Sequence, residues 1–308
     1  MKRLNWAAAV SAALLMLACG KSEASEVLRF SGIPDAHTET LQRQYEAVTR
    51  YLSNELGIPV EYVYVPDYTA AVTSLAANKL DLVWLGGVTA VQAEERTGGE
   101  VTFIASRDTD LGFKTYFIAN RALVDAGKLR AAETLNPMPI ERLAALKPSF
   151  AELTFTFGSK SSTSGHLMPR HFLSGAGIDP ETDFKGRAGF QLQGGHSATL
   201  SQVTSGAYDL GALNYTTWET ADADTRDRAP VVYVTPDYVD YCMVAHNRIG
   251  AALIAKLRAS FANLDGSNSD QRAVLEAFGA ERFVPADPKR WDDIRAVLRE
   301  ATDKGVLQ

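Results

Sequence analysis

Cysteine is nearly absent. The 308 residues hold two, Cys19 and Cys242. No disulfide framework and no CxxC metal pattern can be built from that pair. Cys242 sits in the apolar run Tyr241-Cys242-Met243-Val244-Ala245 and reads as a small buried hydrophobe. Charge of one sign is missing too. Lys and Arg number 31 and Asp and Glu 37, a net charge of −6 with no long run of either sign. That excludes a basic stripe for nucleic acid. No amphipathic membrane segment follows the N-terminal region. Catalytic signatures are also lacking: there is no Gly-x-Ser-x-Gly elbow, no HExxH, and Gly158 is not followed by the Gly-Lys-Ser/Thr of a Walker loop. No cofactor, metal or catalytic residue is therefore expected. A hydrolase or acyl-transfer enzyme stays open as the alternative class, because hydroxyls and histidines do occur together. The balance of 46% hydrophobic to 22% charged residues is that of a soluble globular protein.

What is present begins with a targeting segment. Lys2 and Arg3 precede thirteen apolar residues, 6–18. A membrane-spanning helix needs about 20, so this length fits a signal-peptide core. Two processing readings are open. Met16-Leu17-Ala18-Cys19-Gly20 resembles a bacterial lipobox, which would make Cys19 the lipidated first residue of a periplasmic, membrane-anchored protein. Ser22-Glu23-Ala24 fits plain cleavage after Ala24. Residues 1–25 are set aside from the fold on either reading, leaving about 283 residues for one large or two medium domains.

Strand and helix signals alternate through the rest. Apolar strands are expected at 27–31, 60–65, 81–85, 101–106 and 115–119. Leu41, Tyr45, Val48, Leu52 and Leu56 recur at helical spacing, with Gly57 as the stop. Further strands fall at 153–157, 190–193, 209–213, 231–234 and 241–245, and three helices close the chain. This βαβα order with short loops predicts an α/β fold with mainly parallel sheets flanked by helices.

One stretch stands out, 154–168, TFTFGSKSSTSGHLM. It reads as a buried strand, a small-residue loop and a helix start. Ser161, Ser162, Thr163 and Ser164 are consecutive hydroxyls. Beside the free N–H groups of a helix N-terminus they make an anion cradle; an ordinary Ser/Thr N-cap is the other reading. Pro169 lies early in that helix and should kink it or delay its start. There is also an internal echo. Tyr68-Thr69-Ala70-Ala71 leading to Leu80-Asp81-Leu82 can be laid over His196-Ser197-Ala198-Thr199 leading to Tyr208-Asp209-Leu210, at a constant offset of 128 residues. Two such units facing one another would bring their strand ends to one crevice.

The stretches 67–87, 157–169 and 194–219 resemble the periplasmic solute-binding proteins of ABC importers, in the branch that binds phosphonate, phosphite or selenate. The resemblance implies a type II two-lobed fold, each lobe a mixed, mainly parallel sheet flanked by helices. One lobe would hold 26–118 with 232–308, the other 119–231, with hinges near 115–121 and 229–236. It implies a tetrahedral oxyanion bound by Ser162, Thr163 and Ser164, closed over by Tyr68 and His196. The strand ends near Gly86, Gly87, Asn214 and Tyr215 would line the remainder. Hydroxyls, a phenol, an imidazole and backbone N–H groups are the donors such an anion needs. His166 is expected behind the site; His37 and Lys160 have no motif behind them. Family members that bind aminated phosphonates carry carboxylates for the ammonium; Ser197 and Tyr215 stand at those positions here. The expected ligand is therefore an unaminated oxyanion. Removal of the Ser162 and Thr163 hydroxyls is expected to cost binding but not ligand-free stability. The implied partners are a permease and an ATPase in the inner membrane, or a membrane sensor if the protein signals. A monomer is expected, attached to the membrane only through its lipid.

Overall fold

A computed structural model describes residues 27–191 and 193–305. The signal segment and Cys19 lie outside the described residues. Two mixed sheets organise the chain. The first contains β1 (Leu28–Gly32), β2 (Val60–Tyr62), β3 (Leu82–Leu85), β4 (Val101–Arg107), β9 (Cys242–His246) and β10 (Phe283–Pro285), in the order β10-β4-β9-β3-β1-β2. The second contains β5 (Thr115–Ala119), β6 (Phe155–Thr156), β7 (Leu210–Asn214) and β8 (Val231–Val234), in the order β6-β7-β5-β8.

Local sequence explains the central elements. All four residues of β3 are buried, as expected of a strand covered on both faces. Helix Thr38–Leu56 buries Leu41, Tyr45, Val48, Leu52 and Leu56. Gly57 ends it at φ +69°, returning its N–H to the Ser53 carbonyl. The 128-residue echo is also a structural one. Asp81, just ahead of β3, accepts the Arg29 N–H of the parallel strand β1 at 2.8 Å. Asp209, just ahead of β7, accepts the Thr154 N–H leading into β6 at the same distance. In each case a carboxylate fixes the register of a parallel pair at its start.

Both sheets are mixed, as expected, with a smaller share of parallel pairs than the βαβα order suggests. β1 pairs with β2 and β3 in parallel, and β6 with β7. β9 returns from the second sheet and inserts between β3 and β4, antiparallel to both. β5 likewise inserts between β7 and β8. Most strands of each sheet still run one way, but the inserted strands and the edge strand β10 make most neighbouring pairs antiparallel.

The chain passes between sheets twice, at 108–114 and at 235–241. The segments expected as hinges, 115–121 and 229–236, instead contain strands β5 and β8. The two passages pair with each other. Phe113 and Tyr238 exchange backbone hydrogen bonds of 2.8 and 2.9 Å, and the Asp240 N–H donates to the Asp110 carbonyl at 3.1 Å. A buried ion pair, Arg107–Asp110 at 2.6 Å, secures the first passage. This ribbon forms the floor of the space between the two α/β lobes.

Candidate ligand-binding site

The hydroxyl stretch begins where β6 ends. Ser162 is extended, and its Oγ accepts the Gly165 N–H at 3.0 Å. It is therefore an N-cap as well as a cradle residue. The helix does not start as an α-helix. Thr163–Leu167 is one π-turn, with the Leu167 N–H donating to the Ser162 carbonyl at 3.0 Å, and α-helix Met168–Gly175 follows. Pro169 gives the reason. It has no N–H for the Gly165 carbonyl, which instead accepts the Gly158 N–H at 2.8 Å. The wide turn leaves Ser162, Thr163 and Ser164 buried at the interface of the lobes, at 3%, 2% and 1% exposure.

The first lobe meets this turn with the N-terminus of helix Gly87–Arg96. Its Val88 N–H donates to Thr163 Oγ1 at 2.9 Å, and its Gly87 N–H to Asp240 Oδ1 at 2.8 Å. The Gly87 donor is thus already used, and what Gly86 and Gly87 contribute is space. A Cβ on Gly86 would lie 3.1 Å from Asp240 Oδ1, and one on Gly87 3.3 Å from Thr163 Oγ1. Tyr68, in the first turn of helix Tyr68–Ala76, points its buried hydroxyl at the same place, beside Ser162. That oxygen and Asp240 Oδ2 are buried with no hydrogen-bond partner.

His196 closes the other side from the start of helix Gly195–Thr204. Its Nε2 lies 3.5 Å from Ser164 Oγ and 3.5 Å from the Tyr241 hydroxyl. The Asn214 N–H donates to His196 Nδ1 at 3.2 Å, so the ring proton belongs on Nε2, facing Ser164. Burial lowers the His196 pKa to about 3. The ring is a neutral donor, not the cation that an anion alone would favour. The His196 backbone N–H reaches across the lobes to the Asp35 carbonyl at 3.0 Å.

Ser162, Thr163, Ser164, Tyr68, Gly86, Gly87 and His196 are thus brought together. Asn214 stands one bond behind, holding His196 through its backbone and Tyr241 through its amide at 3.2 Å. Tyr215 does not join them. Its ring packs edge-on against Phe113 at 4.9 Å and lines an adjoining cavity of about 480 Å³ with Trp84, Arg107 and Asp35. His166 is buried behind the turn, bonded to the Lys160 carbonyl at 2.9 Å and to Arg170 at 3.2 Å. His37 is exposed, and the Lys160 ammonium lies over the Phe190 ring at 5.2 Å.

Sequence reasoning missed Asp240 and Tyr241. Burial raises the Asp240 pKa to about 7, held back by the Gly87 N–H and the Thr163 and Ser164 hydroxyls. Tyr241 stacks on Trp84 at 5.5 Å, with the Arg107 guanidinium over both rings. That guanidinium is already bound to Asp110 and to the Phe278 carbonyl. The cluster consequently offers neutral O–H and N–H donors and a single carboxyl, and no Lys or Arg hydrogen-bonds within it among the described residues. Buried neutral dipoles of this kind suit capture of an anion and its later release.

Two mixed α/β sheets, two paired crossings and a buried polar cluster between the lobes define a solute-binding protein of the type II periplasmic fold. The family of periplasmic substrate-binding proteins of phosphonate ABC transporters matches residues 30–291, and the chain belongs to it. It is a family of binding proteins, not enzymes. A probable phosphite-binding protein of an ABC transporter from Prochlorococcus marinus MIT 9301 is 38% identical over 283 residues, 89% of this chain and 90% of its own. The solved structure of PhnD1 from that organism, in complex with methylphosphonate, covers 90% of this chain and 98% of its own at 35% identity and a TM-score of 0.79. The phosphonates-binding periplasmic protein of Escherichia coli K12 is 23% identical over 288 residues, 92% of this chain and 79% of its own.

Proposed function

We propose that this substrate-binding component captures a small tetrahedral phosphorus oxyanion, phosphite or a short unaminated phosphonate, among Ser162, Thr163, Ser164, Tyr68 and His196. The observation that carries the reading is the pair of buried, unpartnered oxygens, Tyr68 Oη and Asp240 Oδ2, beside three buried hydroxyls. Buried polar groups ordinarily find partners. A ligand with several oxygens around one centre would supply them here. The names of the Prochlorococcus proteins, phosphite-binding and methylphosphonate-bound, support the same chemistry. Ser197 and Tyr215, where an acidic residue would counter an amine, favour an unaminated ligand. Selenate shares the shape and belongs in the same test.

The lobes, 27–107 with 242–305 and 115–234, would close on the ligand about the two crossings. The closed form would then be read by the permease and its ATPase. Export through the N-terminal segment and lipidation at Cys19 would hold the protein at the periplasmic face of the membrane. A thermal-shift screen of the purified protein against phosphite, methylphosphonate, 2-aminoethylphosphonate, phosphate, sulfate and selenate tests the reading. A ligand at 100 times its Kd adds about 2.7 kcal/mol. The reading expects the largest shifts from phosphite or methylphosphonate. Tightest binding of the aminated compound would overturn the unaminated assignment, and no shift with any anion would overturn the oxyanion class.

A further inference from the structure

We infer that Asp240 makes the site a one-proton site: a single proton, shared between Asp240 Oδ2 and a ligand oxygen, is part of the bound complex. This rests on the oxyanion reading above. The two oxygens of Asp240 have different surroundings. Oδ1 accepts the Gly87 N–H at 2.8 Å, which ties the second crossing to helix Gly87–Arg96. Oδ2 is buried without a partner, and the Thr163 and Ser164 hydroxyls act on the same carboxyl. An ionised carboxylate against an oxyanion in a dry site is strongly unfavourable, because like charges in low dielectric repel. A proton between them turns the repulsion into a charge-assisted hydrogen bond.

The groups facing Asp240 leave it as the proton's holder. Asp110 on the first crossing raises its pKa but is itself paired with Arg107. Tyr68, Tyr238 and Tyr241 are pushed well above the usual phenol range by burial, and Cys242 well above the usual thiol range. Asp35 is raised as well, and its carboxyl lies towards Tyr241.

Phosphite and phosphonates can bring the proton as monoanions at neutral pH. Sulfate and selenate carry none there, so Asp240 would have to supply it.

The test is isothermal titration of methylphosphonate and sulfate at about pH 9, in buffers of different ionisation enthalpy, with wild type and Asp240→Asn. Wild type should take up about one proton per methylphosphonate bound, and its affinity should fall about tenfold per pH unit once both Asp240 and the free ligand are deprotonated. Asp240→Asn should show neither effect, and sulfate should likewise be bound with proton uptake by wild type only. Methylphosphonate binding without proton uptake in wild type overturns the inference and leaves the oxyanion reading standing. The same uptake in Asp240→Asn also overturns it, by assigning the proton to another group. Absence of any oxyanion binding in wild type removes the reading and the inference together. The wild-type arm decides the matter even where the variant fails to fold.

Discussion

Thr163 Oγ1, on the π-turn of one lobe, accepts the Val88 N–H of the other lobe at 2.9 Å. Because the oxygen is the acceptor, its own proton remains to donate, to the Asp240 carboxyl beside it or to an anion. One hydroxyl thereby joins lobe closure to ligand capture. Thr163→Val removes both bonds while keeping the shape. A buried hydrogen bond left unmade costs about 1–3 kcal/mol, roughly a ten- to hundredfold loss of affinity. Thr163→Ser should retain most of the binding. Titration calorimetry measures the affinities, and small-angle scattering should show Thr163→Val more open than wild type.

Gly195 offers a second way to separate closure from folding. Its φ is +47°, and a Cβ there would lie 2.6 Å from the Asp35 backbone across the cleft. In Gly195→Ala the lobes cannot approach as they do here. Affinity should fall more than tenfold, while the ligand-free midpoint drops only by the roughly 1–2 kcal/mol of a left-handed alanine. Equal affinity in the variant would show that the Asp35–Gly195 approach plays no part in binding.

Ser162 behaves differently from the expectation drawn from its motif. Its Oγ caps the π-turn through Gly165. Ser162→Ala should therefore lower ligand-free stability by about 1 kcal/mol, in addition to weakening the ligand complex. Chemical denaturation without ligand checks the first effect. An unchanged midpoint would mean that the cap contributes nothing.

Burial together with Arg170 lowers the His166 pKa to about 3 from an ordinary 6.5. Between those values the unfolded chain binds a proton that the folded chain does not. Stability from this group is full above pH 6.5 and falls as pH drops towards 3. His166→Asn removes that term. Between about pH 6 and 4, wild type should lose about 1.4 kcal/mol per pH unit more than the variant. Parallel urea-midpoint curves would contradict the neutral, buried imidazole.

Much of the fold and part of the site are legible in the residues. The run Leu82-Val83-Trp84-Leu85 announces a strand covered on both faces, and Asp81 and Asp209 occupy matching places in two βα units. Consecutive hydroxyls mark the cradle because their chemistry is local. Other features depend on contacts distant in sequence. β9 pairs with β3 across roughly 160 residues, and no local pattern says that a returning strand will insert between two others. Tyr241 reads as the start of an apolar strand, and Asp240 carries no motif, until the second crossing is seen to form the cleft floor. Pro169 signals a disturbed helix start, but the π-turn follows only once Gly158 is found to take the freed carbonyl.

If an anion completes the buried, unpartnered Tyr68 hydroxyl, Tyr68→Phe exposes it. Calorimetric titration of methylphosphonate into the variant should show affinity reduced about tenfold or more. The ligand-free thermal midpoint should be unchanged or slightly raised, because the lost oxygen has no partner in the structure. Unchanged affinity, or a loss of ligand-free stability that accounts for the weaker binding, would contradict the account.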